Sequence, residues 1–221
     1  MSDAADRLKS VREGIAAAAK AARRDPANVS LVAVSKGHNA EAIESLILAG
    51  QRDFGENRIQ EALAKWPDLR ARFPDIRLHE IGRLQSNKVA EAVALFDVIH
   101  SVDRVSLVDA LAREGAKTGR YPALYVQVNI GEEEQKGGCA IGDVPALVAA
   151  VRDRDLPLLG LMGIPPLGVE PAPYFALLAK LAKLAGREGL TGLSMGMSSD
   201  YRAAVMLGAT AIRIGAALFE S

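Results

Sequence analysis

The chain of 221 residues has little of several features that mark specialised classes of protein. Its single cysteine excludes a disulfide within the chain and suits a reducing compartment. Basic and acidic residues are balanced at 27 each, and aromatic residues make up only 5% of the chain. This composition excludes the basic surface interleaved with aromatic residues that is typical of nucleic-acid binding.

Two kinds of targeting or anchoring segment are also missing from the sequence. No apolar run is long enough to span a bilayer. Residues 1–22 carry charged side chains among their apolar positions, unlike a secretory signal. The 3 histidines are scattered, with no H-E-x-x-H and no paired-cysteine spacing, so we expect no metal site. These absences predict a cytoplasmic protein without a nucleic-acid or membrane partner.

What the chain does have is an alternation of short apolar runs with helical stretches. An amphipathic helix is predicted over 4–22, and Pro26 follows it. Strands are predicted at 31–36, 53–56, 76–82, 98–102, 123–129, 157–164, 193–196 and 211–215. Helices are predicted at 40–49, 57–65, 86–95, 104–117, 143–153, 172–187 and 199–207, with N-caps at Asn39 and Asp143 and glycine C-caps at Gly50 and Gly208.

Eight strands that alternate with helices predict an α/β fold, a single (β/α)₈ TIM-type barrel domain over residues 1–221. The chain is short for this fold, which typically needs about 250 residues. The sequence ends shortly after Gly215, so we expect the eighth helix to be missing and the helix at 4–22 to pack beside the last strand. A doubly wound open sheet is the rival, but no G-x-G-x-x-G follows the first strand.

Lys36 ends the first apolar run, at the place where a barrel carries its chemistry. Burial there would favour the neutral amine, a nucleophile that forms Schiff bases with aldehydes. The alternative is a lysine whose ammonium simply reaches solvent from the end of a strand.

A second candidate feature surrounds the last two predicted strands. Ser198 and Ser199 lie where a helix should begin, and Gly215 ends the last strand, so these loops could hold a phosphate. Arg213 should project to the same side as Gly215, where it could contact the ring of a phosphorylated ligand. Helix capping by the serines and a salt bridge of Arg213 inside the barrel are the alternatives. A lysine and a phosphate site on one face together suggest pyridoxal 5′-phosphate (PLP).

Segments along nearly the whole chain resemble one family. They are AVSKGHNAEAI at 33–43, FGENRIQEA at 54–62, HEIGRLQSNK at 79–88, SVDR at 101–104, VNIGEEEQKGG at 128–138, GLMGI at 160–164, LSMGMSSDYRAA at 193–204 and RIGAALF at 213–219. In this order they resemble the pyridoxal phosphate homeostasis protein family, which is similar to the barrel domain of alanine racemases.

The resemblance implies a monomeric barrel that holds PLP as an imine and serves cytoplasmic PLP homeostasis, with PLP-dependent apo-enzymes as possible recipients. No robust catalytic turnover is implied. The cofactor-binding residues that it implies are Lys36 for the imine, Asn57 near the cofactor, Ser198, Ser199 and Gly215 for the phosphate, and Arg213 for the ring nitrogen. Glu80 and Arg83 depart from the family pattern, which has an apolar residue and commonly a proline there, and the tail ALFES departs as well.

Two enzyme alternatives remain open. A PLP-dependent amino-acid racemase needs acid–base groups on both faces of its substrate. In alanine racemases the second group is a tyrosine from another domain, and we expect none of the four tyrosines here at a strand end. A Schiff-base aldolase would use Lys36 without a cofactor, and adding PLP would distinguish it from the other two.

Overall fold

Eight parallel strands form a closed barrel in which each strand pairs with the next along the chain and the last pairs with the first. The computed structural model describes residues 3–185 and 190–219. The predicted (β/α)₈ barrel is therefore confirmed. The strands are β1 (Ser30–Val34), β2 (Asp53–Glu56), β3 (Arg77–Glu80), β4 (Val98–Val102), β5 (Ala123–Val128), β6 (Leu158–Gly163), β7 (Gly192–Ser194) and β8 (Ala211–Ile214).

The helices form a layer around the barrel. Among the described residues they are α1 (Ala4–Ala21), α2 (Ala40–Leu48), α3 (Ile59–Arg72), α4 (Val89–Leu95), α5 (Val105–Thr118), α6 (Val144–Arg152), α7 (Ala172–Leu184), α8 (Tyr201–Met206) and α9 (Ala216–Phe219). Short 3₁₀ turns at Pro26–Asn28, Ser86–Lys88 and Ile141–Asp143 precede β1, α4 and α6. Residues 186 and 187 of the predicted seventh helix lie outside the described residues.

Several predicted boundaries were wrong. In the strands, the run of apolar residues extends beyond the residues that form the hydrogen-bonded ladder. Strand β1 ends at Val34, so Lys36 lies in the following turn and not in the strand. Helix α3 begins at Ile59 and continues to Arg72, past the predicted end at residue 65 and through Pro67. Helix α8 begins at Tyr201, which leaves Ser198 and Ser199 in a turn before it.

Helix α1 covers the side of the barrel where the chain closes. Its buried stripe includes Leu8, Val11 and Ile15, and it contacts α2, α8 and α9. Burial of each large aliphatic side chain contributes roughly 1.5–3 kcal/mol. The predicted packing near the last strand is confirmed, but the eighth helix is a single turn, α9, and is not missing.

The structure supports three of the four predicted helix-capping residues. Asn39 Oδ1 accepts a hydrogen bond from Ala42 N at 3.0 Å, so Asn39 caps α2. Asp143 occupies the N-cap position of α6 but makes no capping hydrogen bond. Gly50 and Gly208 have φ angles of 96° and 108°, which a residue with a side chain rarely adopts.

The apolar core is divided in two. A large cluster fills the space between the strands and the helices, with Phe54, Trp66 and Phe175 fully buried. A small second cluster of Val98, Tyr125 and Met162 is separate from it. Among the described residues, no helix is long and apolar enough to cross a membrane.

Candidate functional site

A cleft of about 440 Å³ lies where the strands end at their carboxyl termini. All six predicted cofactor-binding residues line it, although their positions are far apart in the sequence. Parallel strands bring the residues after each strand to one rim of the barrel, which explains how they meet. The lining residues are Val34, Lys36, Asn57, Ile81, Gly82, Ile164, Met197, Ser198, Ser199, Arg213, Gly215 and Ala216.

Lys36 lies at this rim in the turn after β1, and its side chain is exposed. The expectation that burial would favour its neutral amine was therefore wrong. The run of apolar residues that suggested burial ends with Ser35, which is fully buried. The exposed amine is instead within reach of a ligand that enters the cleft from solvent.

The turn that carries Lys36 is held by residues of β2 and α3. Lys65 Nζ donates to Ser35 O at 3.0 Å and forms an ion pair with Glu56 at 2.8 Å. Ser35 Oγ donates to Glu56 Oε1 at 2.7 Å, and Gly37 N donates to Glu61 Oε1 at 2.6 Å. These contacts hold the residues on both sides of Lys36, so the backbone at Lys36 is fixed in position.

Ser198, Ser199 and Gly215 form the part of the cleft that suits an oxyanion. Among the described residues, neither serine hydroxyl has a hydrogen-bond partner, so the serines do not cap α8. The turn is held instead by Asp200, whose Oδ1 accepts from Met197 N at 2.6 Å. The hydroxyl groups are therefore available to a ligand.

Gly215 leaves room at the same place. A Cβ atom there would meet Val34 at 3.6 Å, an ordinary van der Waals distance. The protein itself could thus accept a methyl group at this position. Since Gly215 also lines the cleft, the missing side chain gives a ligand space to approach the backbone.

Arg213 extends from β8 into the barrel, where only 4% of its surface is exposed. Its Nη1 donates to Ser194 Oγ at 2.5 Å and its Nη2 to Gly163 O at 3.4 Å. In the described part of the chain no carboxylate forms an ion pair with it, so the alternative of an internal salt bridge was wrong. Burial lowers the pKa of Arg213 to about 10, so the guanidinium is still charged at neutral pH.

The remaining lining is apolar or neutral. Ile81, Ile164 and Met197 provide walls for a flat ring, and Asn57 provides a half-buried amide. Among the described lining residues, only Lys36 and Arg213 carry ionisable side chains. The cleft therefore combines one amine, one guanidinium and an oxyanion-binding turn around an apolar slot.

Two of the three departures from the family pattern, Glu80 and Arg83, lie beside this cleft and not in it. Glu80 and Arg83 line a neighbouring cavity of about 370 Å³. Glu80 Oε1 accepts from Gly82 N at 2.8 Å, and its other oxygen has no partner among the described residues. Burial raises the pKa of Glu80 to about 8, with a smaller contribution from Glu56.

Comparison with known proteins agrees with this geometry. The family profile described as "Alanine racemase, N-terminal domain" matches residues 7–221. A pyridoxal phosphate homeostasis protein of Pseudomonas aeruginosa is 45% identical over 99% of this chain and 96% of its own length. The protein of the same name from Escherichia coli is 38% identical over 99% and 97%. The chain belongs to the pyridoxal phosphate homeostasis protein family.

Solved structures of a related protein, PipY, have a similar fold. PipY of Synechococcus elongatus, determined without PLP, has a TM-score of 0.88 and 41% identity, covering 97% of this chain and 99% of PipY. Its structure with PLP bound has a TM-score of 0.84 and 42% identity, covering 98% and 99%. The predicted family membership is thus confirmed at the level of sequence and of fold.

Sequence reasoning missed two sets of residues around the site of this family member. Lys65 looked like one of many helical lysines, although its position four residues after Glu61 was a signal of an ion pair. His79 and His100 carried no sequence signal beyond the absence of a metal-binding spacing. The structure places them in hydrogen bonds inside the barrel, with Nδ1 of His79 2.9 Å from Nε2 of His100.

Proposed function

We propose that this chain binds PLP in the cleft, with its aldehyde on Lys36, and that it stores and releases the cofactor in PLP homeostasis. The observation that carries the proposal is the convergence of Lys36, Arg213 and the Ser198–Ser199 turn on one cleft. Its relatives are named for PLP homeostasis, and PipY has been solved with PLP bound.

Each part of the cleft fits one part of this cofactor. The Lys36 amine can condense with an aldehyde and release water. The free hydroxyls of Ser198 and Ser199, together with the space at Gly215, suit a phosphate group. Arg213 offers N–H donors to a ring nitrogen, and because it stays charged it does not give that nitrogen a proton.

The residues favour holding the cofactor over turning it over. When bound, PLP supplies an electron sink for reactions of amino acids. Racemisation needs two acid–base groups, one on each face. Among the described lining residues Lys36 and Arg213 are the only ionisable groups, Arg213 stays charged, and no tyrosine lines the cleft. Tyr201 points instead toward α1, because a Cβ on Gly14 would lie 2.1 Å from its hydroxyl.

Replacement of Lys36 by alanine tests the proposal. We expect the unaltered chain, incubated with PLP and reduced with borohydride, to carry a stable secondary-amine adduct on the peptide that contains Lys36, and Lys36→Ala to carry none. Peptide mapping by mass spectrometry measures both. Lys9→Ala, an exposed lysine on α1, is the matched control and should leave the adduct unchanged. An equal yield of adduct in Lys36→Ala would contradict the proposal.

We further propose that residues 1–221 act as one monomeric barrel domain in the cytoplasm and that the recipients of PLP are apo-enzymes. The exposed position of Lys36 supports release to a recipient, since the amine lies at the rim. Loss of PLP from the loaded chain to an added apo-enzyme, faster than by dilution alone, would support this role.

A further inference from the structure

A chain of hydrogen bonds crosses the barrel interior and ends at Arg213. Ser194 Oγ lies 2.8 Å from His100 Nδ1, and His79 Nε2 lies 2.9 Å from Asp53 Oδ1. With the two contacts already described, Arg213 to Ser194 and His100 to His79, the chain is continuous. It runs through β8, β7, β4, β3 and β2 in the order Arg213, Ser194, His100, His79, Asp53.

The hydrogen-bond directions are fixed at the two ends of this chain. A guanidinium only donates, so Ser194 Oγ accepts from Arg213. At the other end a carboxylate only accepts, so His79 Nε2 donates to Asp53 Oδ1.

The two imidazoles of this chain lie in the closed interior of the barrel. His100 is fully buried, and His79 is 4% exposed. Burial is the largest influence that lowers the pKa of His100, and the charges of His79, Arg213 and Arg77 add to it. The His100 ring also stacks on Tyr125 with 4.6 Å between ring centroids, which limits its rotation.

Only Arg213 among these five residues lines the cleft. Its strongest contact is the one to Ser194, because the contact to Gly163 O is 3.4 Å long. A guanidinium without a carboxylate partner therefore depends on a neutral hydroxyl for its orientation. That hydroxyl is oriented by two histidines, and these end at the carboxylate of Asp53.

We propose that Ser194, His100, His79 and Asp53 are positioning residues that orient Arg213 toward the pyridine nitrogen of PLP and so set the affinity for the cofactor. The proposal rests on the proposed function, since it assumes PLP in the cleft. It extends that function to four residues that do not touch the ligand. Their effect passes through one atom of the cofactor, the ring nitrogen.

A pair of cofactors tests this route. 1-Deaza-PLP keeps the aldehyde and the phosphate but has a C–H group in place of the ring nitrogen. In Ser194→Ala we expect the Kd for PLP to rise about tenfold, the effect of one lost hydrogen bond of ~1.4 kcal/mol. The Kd for 1-deaza-PLP should change less than about twofold, because the contact concerned is already missing. Equilibrium dialysis measures both constants.

Two further variants keep the test decisive. Asp53→Asn removes only the charge at the far end, and we expect a smaller loss, of PLP affinity alone. Ser101→Ala removes another fully buried serine, whose hydroxyl has no hydrogen-bond partner among the described residues, and should change neither constant. Asp53→Asn also decides the matter if Ser194→Ala does not fold.

The possible failures are distinct. Equal losses for both cofactors in Ser194→Ala, or an unchanged Kd for PLP in Ser194→Ala and Asp53→Asn, would overturn the positioning role. In those cases PLP binding by the unaltered chain would still stand. Absence of PLP binding by the unaltered chain would instead overturn the proposed function itself.

Discussion

At Gly215, Ser198 and Ser199, small substitutions should change ligand binding without changing the stability of the fold. We expect Gly215→Ala, and the double change of Ser198 and Ser199 to alanine, to raise the Kd for PLP about tenfold, the effect of ~1.4 kcal/mol. The Kd for pyridoxal, which lacks the phosphate, should rise much less. A methyl group at 215 meets the protein at 3.6 Å, so the Tm of the ligand-free chain should hardly move. Equal losses for both vitamers would count against a phosphate site here.

Glu80 links one buried carboxyl group to the pH dependence of stability. Burial raises its pKa from 4.5 to about 8, so the folded state keeps a proton that the unfolded state releases. The associated stability is fully present below about pH 4.5 and is lost as the pH rises toward 8. We expect Glu80→Gln to become more stable than the unaltered chain by about 3 kcal/mol between pH 5 and pH 8.

Urea unfolding at a series of pH values measures this difference. Glu13→Gln, at an exposed position of α1, is the control and should give a difference that does not depend on pH. Parallel curves for Glu80→Gln and the unaltered chain would show that Glu80 is ionised in the folded state throughout.

The sequence predicted which residues line the cleft, but it did not predict the environment of each residue. All six predicted residues meet in one cleft. Strand ends and residue types indicated five of them, and the family resemblance added Asn57. The exposure of Lys36 and the missing ion pair of Arg213 were not visible. Both depend on where a strand ends and which side chains share the interior, and those are three-dimensional properties.

At the scale of elements, α3 supports the turn after β1. Lys65 is the cation of a buried pair with Glu56, whose side chain is not exposed at all. Lys65→Met would leave this carboxylate without its partner, and we expect the free energy of unfolding to fall by about 3 kcal/mol. Lys88→Met, which breaks a half-exposed pair with Glu91, should cost under about 1 kcal/mol. Urea unfolding compares the two, and equal losses would show that the Glu56 pair has no special weight.

Element positions were predictable, and their ends were not. All eight strands lie where apolar runs predicted them, whereas α3 passes through Pro67 and continues to Arg72. A proline removes one hydrogen bond of a helix, but packing can outweigh that loss. Here Trp66 and Leu69, on either side of Pro67, are both buried in the core.

Among the described residues, exposed large apolar side chains lie on several different elements. Leu167 is 98% exposed in the loop after β6, while Leu48 and Leu184, at 73% and 66%, end α2 and α7. Scattered exposure of this kind is normal for a monomer. We therefore expect sedimentation equilibrium at micromolar concentrations to give the mass of one chain, 23.4 kDa. A mass twice as large would contradict the proposed monomer.

The barrel interior is the part of the molecule that the sequence indicated least. Each of β2, β3, β4, β7 and β8 contributes one polar residue to the hydrogen-bonded chain, and β2, β3 and β4 carry other polar residues as well. Only closure of the barrel places them in one hydrogen-bonded chain. The available signal was a polar residue in each of these five strands. Recognising that these residues meet requires the register of the sheet.

The exposed turn of Lys36 has a consequence for kinetics. A primary amine that reaches the rim from solvent can compete with Lys36 for the same aldehyde. On the proposed function, the residence time of the cofactor would then shorten as free amino acids accumulate around the protein. The occupancy of this chain would thus follow the nitrogen status of its surroundings as well as the supply of the vitamer.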